Sequence, residues 1–268
     1  MADRKLGDFV HGAAEAMAAI GGNRFWPRLT ALLGRVVRHH SCVVFRYTRS
    51  ECPEFVFGDL DSDVALDKFH EYRQRAYLLD PFYDRFRARS PDTVLRLRDV
   101  SADRFFRSVF YREYYRKTGL SDEMGIFCWT DSECLTIVSL ARRVDEPSFT
   151  RAEIGTIAGY FPLIAAMIKL HDRFGRASGS GQAARPASDP APGAMLLPAA
   201  DLTTRERAIG ELILKGHSSL SIALILNISI ETVRVHRRNL YRKLNVTSQA
   251  QLFALAISDV AAAAGDRP

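Results

Sequence analysis

The sequence predicts an α+β protein with two folded parts. The first is expected to be an α/β/α sandwich on an antiparallel five-stranded sheet, and the last a domain of four helices. Residues 1–172 alternate helical segments with short runs of β-branched and aromatic residues. Residues 173–200 are rich in Ala, Gly, Ser and Pro, and residues 201–264 contain four short segments that follow capping residues.

The first part is predicted to begin with two helices and to contain five strands that pair locally. Helices are expected over 3–19, 24–39, 62–78, 80–89 and 101–120, and from a capping box at 150–153 to about 172. Strands are expected over 41–48, 54–58, 93–97, 124–130 and 133–143. Pro162 is expected to kink the last helix.

Asp131 and Ser132 are predicted to form a two-residue turn between the last two strands. In that register Trp129 would face Cys134, and the thiols of Cys128 and Cys134 would point to opposite faces of the sheet. A disulfide is therefore not expected here. Four cysteines in 268 residues, without zinc-ligand spacing, favour buried thiols.

Residues 173–200 are predicted to form a flexible linker. Their small and polar side chains cannot bury enough apolar surface to offset the entropy lost on ordering. The predicted domains are therefore 1–172 and 201–264.

The last part is predicted to be a helix-turn-helix domain. Its first helix is expected to begin with the Thr203–Glu206 capping box and to stop at Gly216. The short turn 227–229 joins the second and third helices. The candidate caps of the four helices are, in order, Thr203, Ser218 or Ser219, Ser229, and Thr247 or Ser248.

The positive charge is concentrated in this last part. Residues 202–246 hold eight Lys or Arg and three Asp or Glu, a net +5, whereas residues 1–172 hold 25 and 24, a net +1. A local positive field on a small domain is typical of phosphate binding. The sequence therefore indicates nucleic acid as a partner.

The third helix of this part has one apolar and one cationic side at 100° per residue. The apolar side carries Ile230, Val233, Leu240 and Leu244. The opposite side carries Arg234, Val235, Arg238, Asn239 and Arg242. Arginine can bond guanine edges bidentately and valine can touch a thymine methyl, so this side suits a DNA major groove. Thr232 and Lys243 stand on its flanks, where phosphates would run.

The stretch 202–256, LTTRERAIGELILKGHSSLSIALILNISIETVRVHRRNLYRKLNVTSQAQLFALA, resembles the LuxR-type (GerE) DNA-binding domain. The resemblance implies that Arg234, Val235 and Arg238 read bases and that His236 is structural. It also implies a dimer contact on the fourth helix, for which the candidates are Leu252, Leu255 and Ala256. Ser219-Leu220-Ser221 replaces the usual Asn-Lys-Glu, so two charges are lost from the second helix, where phosphate contacts are expected, and Gln249 replaces an Arg. Ser218 and Ser219 are further candidate DNA-binding residues.

The first part is expected to sense the signal that controls DNA binding. A phospho-acceptor receiver begins with a buried strand, whereas this chain begins with helices. A nucleotide-driven module is excluded because no GxxxxGK[ST] motif occurs. The remaining alternative is a small-molecule pocket, and the arrangement resembles the GAF/PAS-like autoinducer-binding domain found before LuxR-type domains.

Asp80-Pro81, within YLLDPFYD, carries the local part of this second resemblance. In acyl-homoserine-lactone receptors an Asp-Pro at this place supplies a carboxylate to the ligand amide. Asp67 and Glu71 stand where those receptors have Trp and Tyr, and Val94-Leu95 where a second Trp is expected. A different small molecule is therefore expected, in a solo regulator without its own synthase, with acyl-homoserine lactone as the alternative.

The candidate ligand-binding residues are mainly aromatic, as in a concave apolar site with a few polar groups. They are Tyr72, Tyr77, Asp80, Phe82, Tyr83, Phe110, Tyr114 and Trp129. Two alternatives stay open: these side chains can form an ordinary aromatic core, and Asp80 before Pro81 can simply cap a helix.

The sequence as a whole predicts a cytoplasmic, homodimeric transcriptional regulator that binds a two-fold symmetric DNA site, with RNA polymerase as a further candidate partner. No membrane span is expected, because no apolar run approaches the roughly 20 residues needed to cross a bilayer. No cofactor or enzymatic activity is expected, because GxSxG, HExxH and P-loop motifs do not occur. The alternative is a ligand-independent regulator whose first part docks a partner protein through the helix over 150–172.

Overall fold

The computed structural model describes residues 2–48, 52–59, 72, 76–177, 197 and 202–263. The chain divides into two compact units. The first unit comprises residues 1–62, 88–99 and 120–192, and the second unit comprises residues 63–87, 100–119 and 193–268. Two internal segments, 63–87 and 100–119, therefore belong with the C-terminal helices, which no local pattern in the sequence indicates.

The described elements are helices and strands, in agreement with the predicted α+β class. The helices are α1 (Ala2–Ala18), α2 (Phe25–Val36), α3 (Pro81–Arg87), α4 (Leu97–Val100), α5 (Arg151–Ala177), α6 (Thr204–Leu214), α7 (Ser219–Leu226), α8 (Ile230–Lys243) and α9 (Gln249–Ala263). The strands are β1 (Ser41–Tyr47), β2 (Glu54–Gly58), β3 (Thr93–Arg96), β4 (Leu120–Trp129) and β5 (Leu135–Arg143).

The five strands form one antiparallel sheet in the order β2-β1-β5-β4-β3, which confirms the predicted sheet. Successive side chains alternate between its faces. Val44, Met124, Ile126, Val138 and Leu140 stand on one face and share a single buried cluster with side chains of α1, α2 and α5. Apolar alternation in the strands and apolar stripes on the helices thus build the core of the first unit.

The predicted two-residue hairpin turn is wrong. Trp129 pairs with Leu135 rather than with Cys134, and the connection runs from 130 to 134. Thr130 N–H donates to Cys134 O at 2.9 Å, and Glu133 N–H donates to Asp131 Oδ1 at 2.7 Å. The Asp131 side chain captures a main-chain group two residues on, which lengthens the loop and shifts the register by one residue.

The single helix predicted over 101–120 is also wrong. This segment forms two 3-10 turns, Phe105–Arg107 and Tyr115–Thr118, on either side of a π-turn, Phe110–Tyr114. Phe105, Phe110, Tyr111 and Tyr115 are all buried. On one regular helix they would point around most of its circumference, so burying all four breaks the helix into turns.

The helix predicted over 62–78 lies mostly outside the described residues. Within the described part, Ala76–Leu79 is a 3-10 turn that leads into α3.

Helix α5 begins with the predicted capping box. Thr150 N–H donates to Glu153 Oε2 at 2.8 Å, and Glu153 N–H donates to Thr150 Oγ1 at 3.2 Å. The helix contains Pro162 and continues to Ala177, five residues into the predicted linker. Among the described residues it is the one helix whose length and composition would allow it to cross a bilayer, over Arg151–Gly175. Its buried side chains, such as Ile164, belong to the core cluster of the first unit.

Arg142, on β5, links three segments of the first unit. Its guanidinium donates to Arg38 O at 2.9 Å and to Pro147 O at 2.9 Å, and it pairs with Glu153 at the start of α5. The same group lies 4.1 Å from the centre of the Phe149 ring. Because the Arg142 side chain is only 6% exposed and donates to all three segments, its removal takes away the group that joins them.

We expect Arg142→Ala to lower the free energy of unfolding of the first unit by about 1–3 kcal/mol. Arg143→Ala is the matched control, because its side chain is 56% exposed, and it should cost less than about 0.5 kcal/mol. Both tryptophans, Trp26 and Trp129, lie in the first unit, so tryptophan fluorescence during urea denaturation reports on that unit. Equal losses in the two variants would contradict the linking role of Arg142.

Candidate DNA-binding surface and sensory site

Helix α6 begins with the predicted capping box, which is confirmed. Glu206 N–H donates to Thr203 Oγ1 at 3.2 Å, and Thr203 N–H donates to Glu206 Oε2 at 2.9 Å. The Glu206 carboxylate also accepts from Lys243 Nζ at 2.8 Å, although it is only 4% exposed. The hydrogen bond from Lys243, helped by that from Thr203, lowers the pKa of Glu206 from 4.5 to about 2. One carboxylate therefore joins the start of α6 to the end of α8.

The turn between α7 and α8 has helix-turn-helix geometry. Asn227 ends α7 in the left-handed conformation at φ 51°, and Ser229 caps α8 by accepting from Thr232 N–H at 3.0 Å. The chain bends by 107° between the two helices, within the range of this motif. Ser218 caps α7 by accepting from Ser221 N–H at 3.1 Å. The predicted caps and turn are thus confirmed.

Close packing fixes α8 against α6. A Cβ on Gly210 of α6 would stand 3.0 Å from the Leu240 side chain of α8 and 2.5 Å from that of Leu197. Only glycine leaves room for these neighbours. Val233 and Leu240 of α8 are fully buried, as the apolar side of that helix predicts.

The opposite side of α8 is open and cationic. Arg234, Val235, Arg238 and Arg242 are exposed, with Val235 at 45%, and Asn239 is half-buried. Arg242 donates to Asn239 Oδ1 at 3.4 Å on the same helix. The structure therefore brings these five predicted groove residues together on one exposed stripe, which we call the arginine stripe.

Of the four predicted phosphate-contact residues, Thr232, Lys243 and Ser218 have structural partners. Thr232 shares a hydrogen bond with the Ser229 hydroxyl at 2.9 Å, and Lys243 pairs with Glu206. Ser218 is the N-cap of α7, and Ser219 is the first residue of that helix. Sequence reasoning found the Glu206 cap but missed the pairing of Glu206 with Lys243, because the two residues are 37 positions apart.

The predicted dimer residues on α9 divide into two groups. Leu252 and Ala256 are fully buried, so their side chains belong to the core of the helical domain. Leu255 is half-buried. A dimer contact through α9 remains a prediction for Leu255 and not for the other two side chains.

Asp80 caps α3, as the alternative interpretation predicts. Its Oδ1 accepts from Phe82 N–H at 2.8 Å, and its Oδ2 accepts from the Tyr72 hydroxyl at 2.6 Å. Burial raises the pKa of this carboxyl from 3.8 to about 6, against the opposing effect of the two hydrogen bonds.

Several predicted ligand residues lie together around Asp80. The Tyr72 and Tyr77 rings are 6.3 Å apart, the Tyr77 and Tyr83 rings are 4.9 Å apart, and Phe82 is fully buried. We call Tyr72, Tyr77, Asp80, Phe82 and Tyr83 the aromatic cluster.

Two of the other three predicted ligand residues contact groups outside this cluster. The Phe110 ring lies 5.9 Å from Phe105 and 6.5 Å from Phe253. Trp129 belongs to the first unit, where its indole N–H donates to Ser90 O at 2.8 Å. Tyr114 lies in the π-turn, and its side chain is not among those described. An open cleft of about 470 Å³ in the first unit, beside Arg142 and Glu146, is lined by none of the predicted ligand residues.

A capped helix-turn-helix with an exposed arginine stripe on its second helix defines a DNA-binding regulator. The family model described as "Bacterial regulatory proteins, luxR family" matches residues 200–256. The "Putative HTH-type transcriptional regulator in exeN 3'region" of Aeromonas salmonicida is 30% identical over 194 residues, which cover 70% of this chain and 98% of that protein. The chain therefore belongs to the luxR family of bacterial regulatory proteins, and it is a transcriptional regulator rather than an enzyme.

Two further comparisons concern single parts of the chain. The nitrate/nitrite response regulator protein NarP of Escherichia coli (strain K12) is 52% identical over 48 residues, 18% of this chain and 22% of that protein. The structure described as the VqsR LBD domain from Pseudomonas aeruginosa is similar to 65% of this chain and 97% of its own, with 20% identity and a TM-score of 0.52. That likeness shows a shared fold for the N-terminal region.

Glu206→Gln should destabilise the helical domain by about 1–3 kcal/mol at neutral pH, because Lys243 loses its charged partner. The folded pKa of Glu206 is lowered, so its contribution is present above pH 4.5 and is lost as the pH falls towards about 2. The difference between variant and wild type should therefore shrink over that range. The amide NMR signals of α6 and α8 follow this domain separately from the helices of the first unit, and Glu211→Gln on the same helix is the control. A difference that is constant from pH 7 to about 2 would contradict the ion pair.

Proposed function

We propose that this regulator binds a two-fold symmetric DNA site as a homodimer, with α8 in the major groove and with a small-molecule effector controlling its activity. The arginine stripe is the single observation that carries the DNA-binding part. It combines three exposed guanidinium groups with one exposed valine on a helix that capping and packing hold in place.

Within the arginine stripe, Arg234, Val235 and Arg238 are the proposed base-reading residues. Two guanidinium groups can each donate two parallel hydrogen bonds to guanine, and Val235 can contact a thymine methyl group. Thr232, Ser218 and Ser219 stand at helix N-termini, where main-chain N–H groups favour phosphate oxygens. Lys243 adds positive charge near the other end of α8.

Homodimer formation is proposed because one helix-turn-helix reads only a few base pairs. The first unit offers an apolar surface for a second copy. Leu163, Leu170 and Phe174 of α5 are exposed and spaced by seven and four residues, so they lie along one side of the helix. The same surface is what a ligand-independent regulator would use to dock a partner protein, such as RNA polymerase, and this is the second candidate function.

The aromatic cluster is the proposed effector site. Four aromatic side chains near one half-buried carboxyl combine apolar surface with a polar group that can orient a ligand. A small apolar molecule with a hydrogen-bonding head fits this chemistry, and an acyl-homoserine lactone is one member of that class. The effector would favour one conformation of the protein and so shift the population that binds DNA in the cytoplasm.

Arg238→Ala should weaken binding to a selected DNA site by about 1–3 kcal/mol and relax the preference at one base pair. Arg237→Ala is the matched control, because the Arg237 guanidinium lies 5.2 Å from the Tyr241 ring on the flank of the helix. Quantitative binding to a library of operator variants measures both effects. Uniform weakening on every sequence, with a shallower salt dependence, would make Arg238 a phosphate contact instead.

Native mass spectrometry should detect a dimer after the purified protein is incubated with the small-molecule fraction of a bacterial extract. An extra mass that disappears on denaturation would identify the effector. Tyr83→Ala should lose that extra mass, whereas Tyr160→Ala should keep it, because Tyr160 stacks on Phe9 in the first unit. A dimer that stays bare in every case would favour the partner-docking function.

A further inference from the structure

The turn between α6 and α7 is held by a loop from the segment 100–119 of the same unit. Arg104 N–H donates to Gly216 O at 3.0 Å, and Ser218 N–H donates to Asp103 Oδ1 at 3.0 Å. The contact is close, since a Cβ on Gly216 would stand 2.8 Å from Phe105 Cα. Backbone atoms of this loop therefore pack directly on the helix-turn-helix domain.

A second carboxylate reaches the same turn from α3. Lys215 Nζ, at the end of α6, donates to Asp84 Oδ1. Further along the chain, the Phe110 ring lies 6.5 Å from the Phe253 ring of α9, and both rings are buried. We use the term clamp for Asp84 together with residues 103–105.

The clamp occupies an anion-binding position. Ser218 is the N-cap of α7, where main-chain N–H groups have no partner within the helix and the helix dipole favours negative charge. Burial opposes ionisation of Asp103, but its hydrogen bonds with Ser218 and its proximity to His217 and Arg104 lower its pKa below the ordinary value. At neutral pH the group at this position is therefore a carboxylate.

DNA needs the same position. In a helix-turn-helix the first helix crosses the sugar-phosphate backbone, and here that helix is α7. Ser218 N–H can donate fully to one anion, either a phosphate oxygen or Asp103. Asp84 adds to the competition, because it neutralises Lys215 and places a second negative charge beside the approaching phosphates.

We propose that the clamp is an autoinhibitory contact in which the Asp103 carboxylate takes the place of a DNA phosphate, so that tight DNA binding requires release of the clamp. The arginine stripe stays exposed in the clamped form, and the inhibition acts on the phosphate contacts of α7. This inference rests on the proposed DNA contacts of α7. Asp84 belongs to α3, the helix that carries Phe82 and Tyr83 and is capped by Asp80, so an effector in the aromatic cluster would act on the clamp through one short helix.

The test compares full-length variants for binding to a short mixed-sequence DNA duplex, because phosphate contacts do not depend on sequence. Asp103→Ala should bind about tenfold more tightly than wild type. Asp145→Ala removes the same charge from an exposed site in the first unit and should change the affinity by less than about twofold. Asp103→Asn keeps the hydrogen-bond acceptor without its charge, so it should show a smaller gain and guards against a folding defect in the alanine variant.

A second pair of variants tests Lys215. Asp84→Ala should make the dependence of log K on log salt steeper by about one, because Lys215 becomes available to a phosphate. Adding Lys215→Ala to Asp84→Ala should restore the wild-type slope.

Three outcomes would overturn the clamp. Equal gains for Asp103→Ala and Asp145→Ala would show a long-range charge effect only. Weaker binding by Asp103→Ala would show that Asp103 supports the DNA-bound form. If the wild type and every variant are folded but none binds DNA, the proposed DNA contacts themselves are wrong. This outcome differs from the other two because no variant then differs from the wild type.

Discussion

The DNA-binding domain depends on one buried carboxylate. Glu206 accepts hydrogen bonds from Thr203 N–H and from Lys243, so it joins the first turn of α6 to the last turn of α8. Gly210 lets the two helices approach closely along the rest of their contact. The orientation of α8 sets the direction in which the arginine stripe faces. The ion pair between Glu206 and Lys243 and the packing at Gly210 hold α8 in that orientation, so they determine how the stripe would meet a major groove.

The two units use the same physical device. Arg142 in the first unit and Glu206 in the second are buried charged groups that combine an ion pair with hydrogen bonds to main-chain atoms. An ion pair alone does not offset the free energy lost when two charges leave water. When the charged group also hydrogen-bonds to the main chain at the end of a helix or strand, it fixes how the two elements pack. Each of these groups therefore specifies an arrangement as well as contributing stability.

The second unit contains both the residues proposed for sensing and the residues proposed for DNA binding. The aromatic cluster, the clamp and the four C-terminal helices belong to one compact unit, although the chain leaves this unit and returns to it twice. A change at Asp80 or Tyr83 therefore has to travel only along α3 and across Asp84 to reach the turn before α7. In that case, contacts within the second unit would be sufficient to control DNA binding.

Local signals by themselves determined the α+β class, the antiparallel sheet, both capping boxes, the helix-turn-helix and the cationic side of α8, because capping, turn chemistry and periodicity act over a few residues. Tertiary structure alone decided the hairpin register, where Asp131 captures a main-chain group, and the division of 101–120 into short turns that bury four aromatic rings. It also decided the pairing of Lys243 with Glu206 and of Ser218 with Asp103. Those partners are 37 and 115 positions apart, and no local pattern specifies which distant side chain will satisfy a buried charge or a free N–H group.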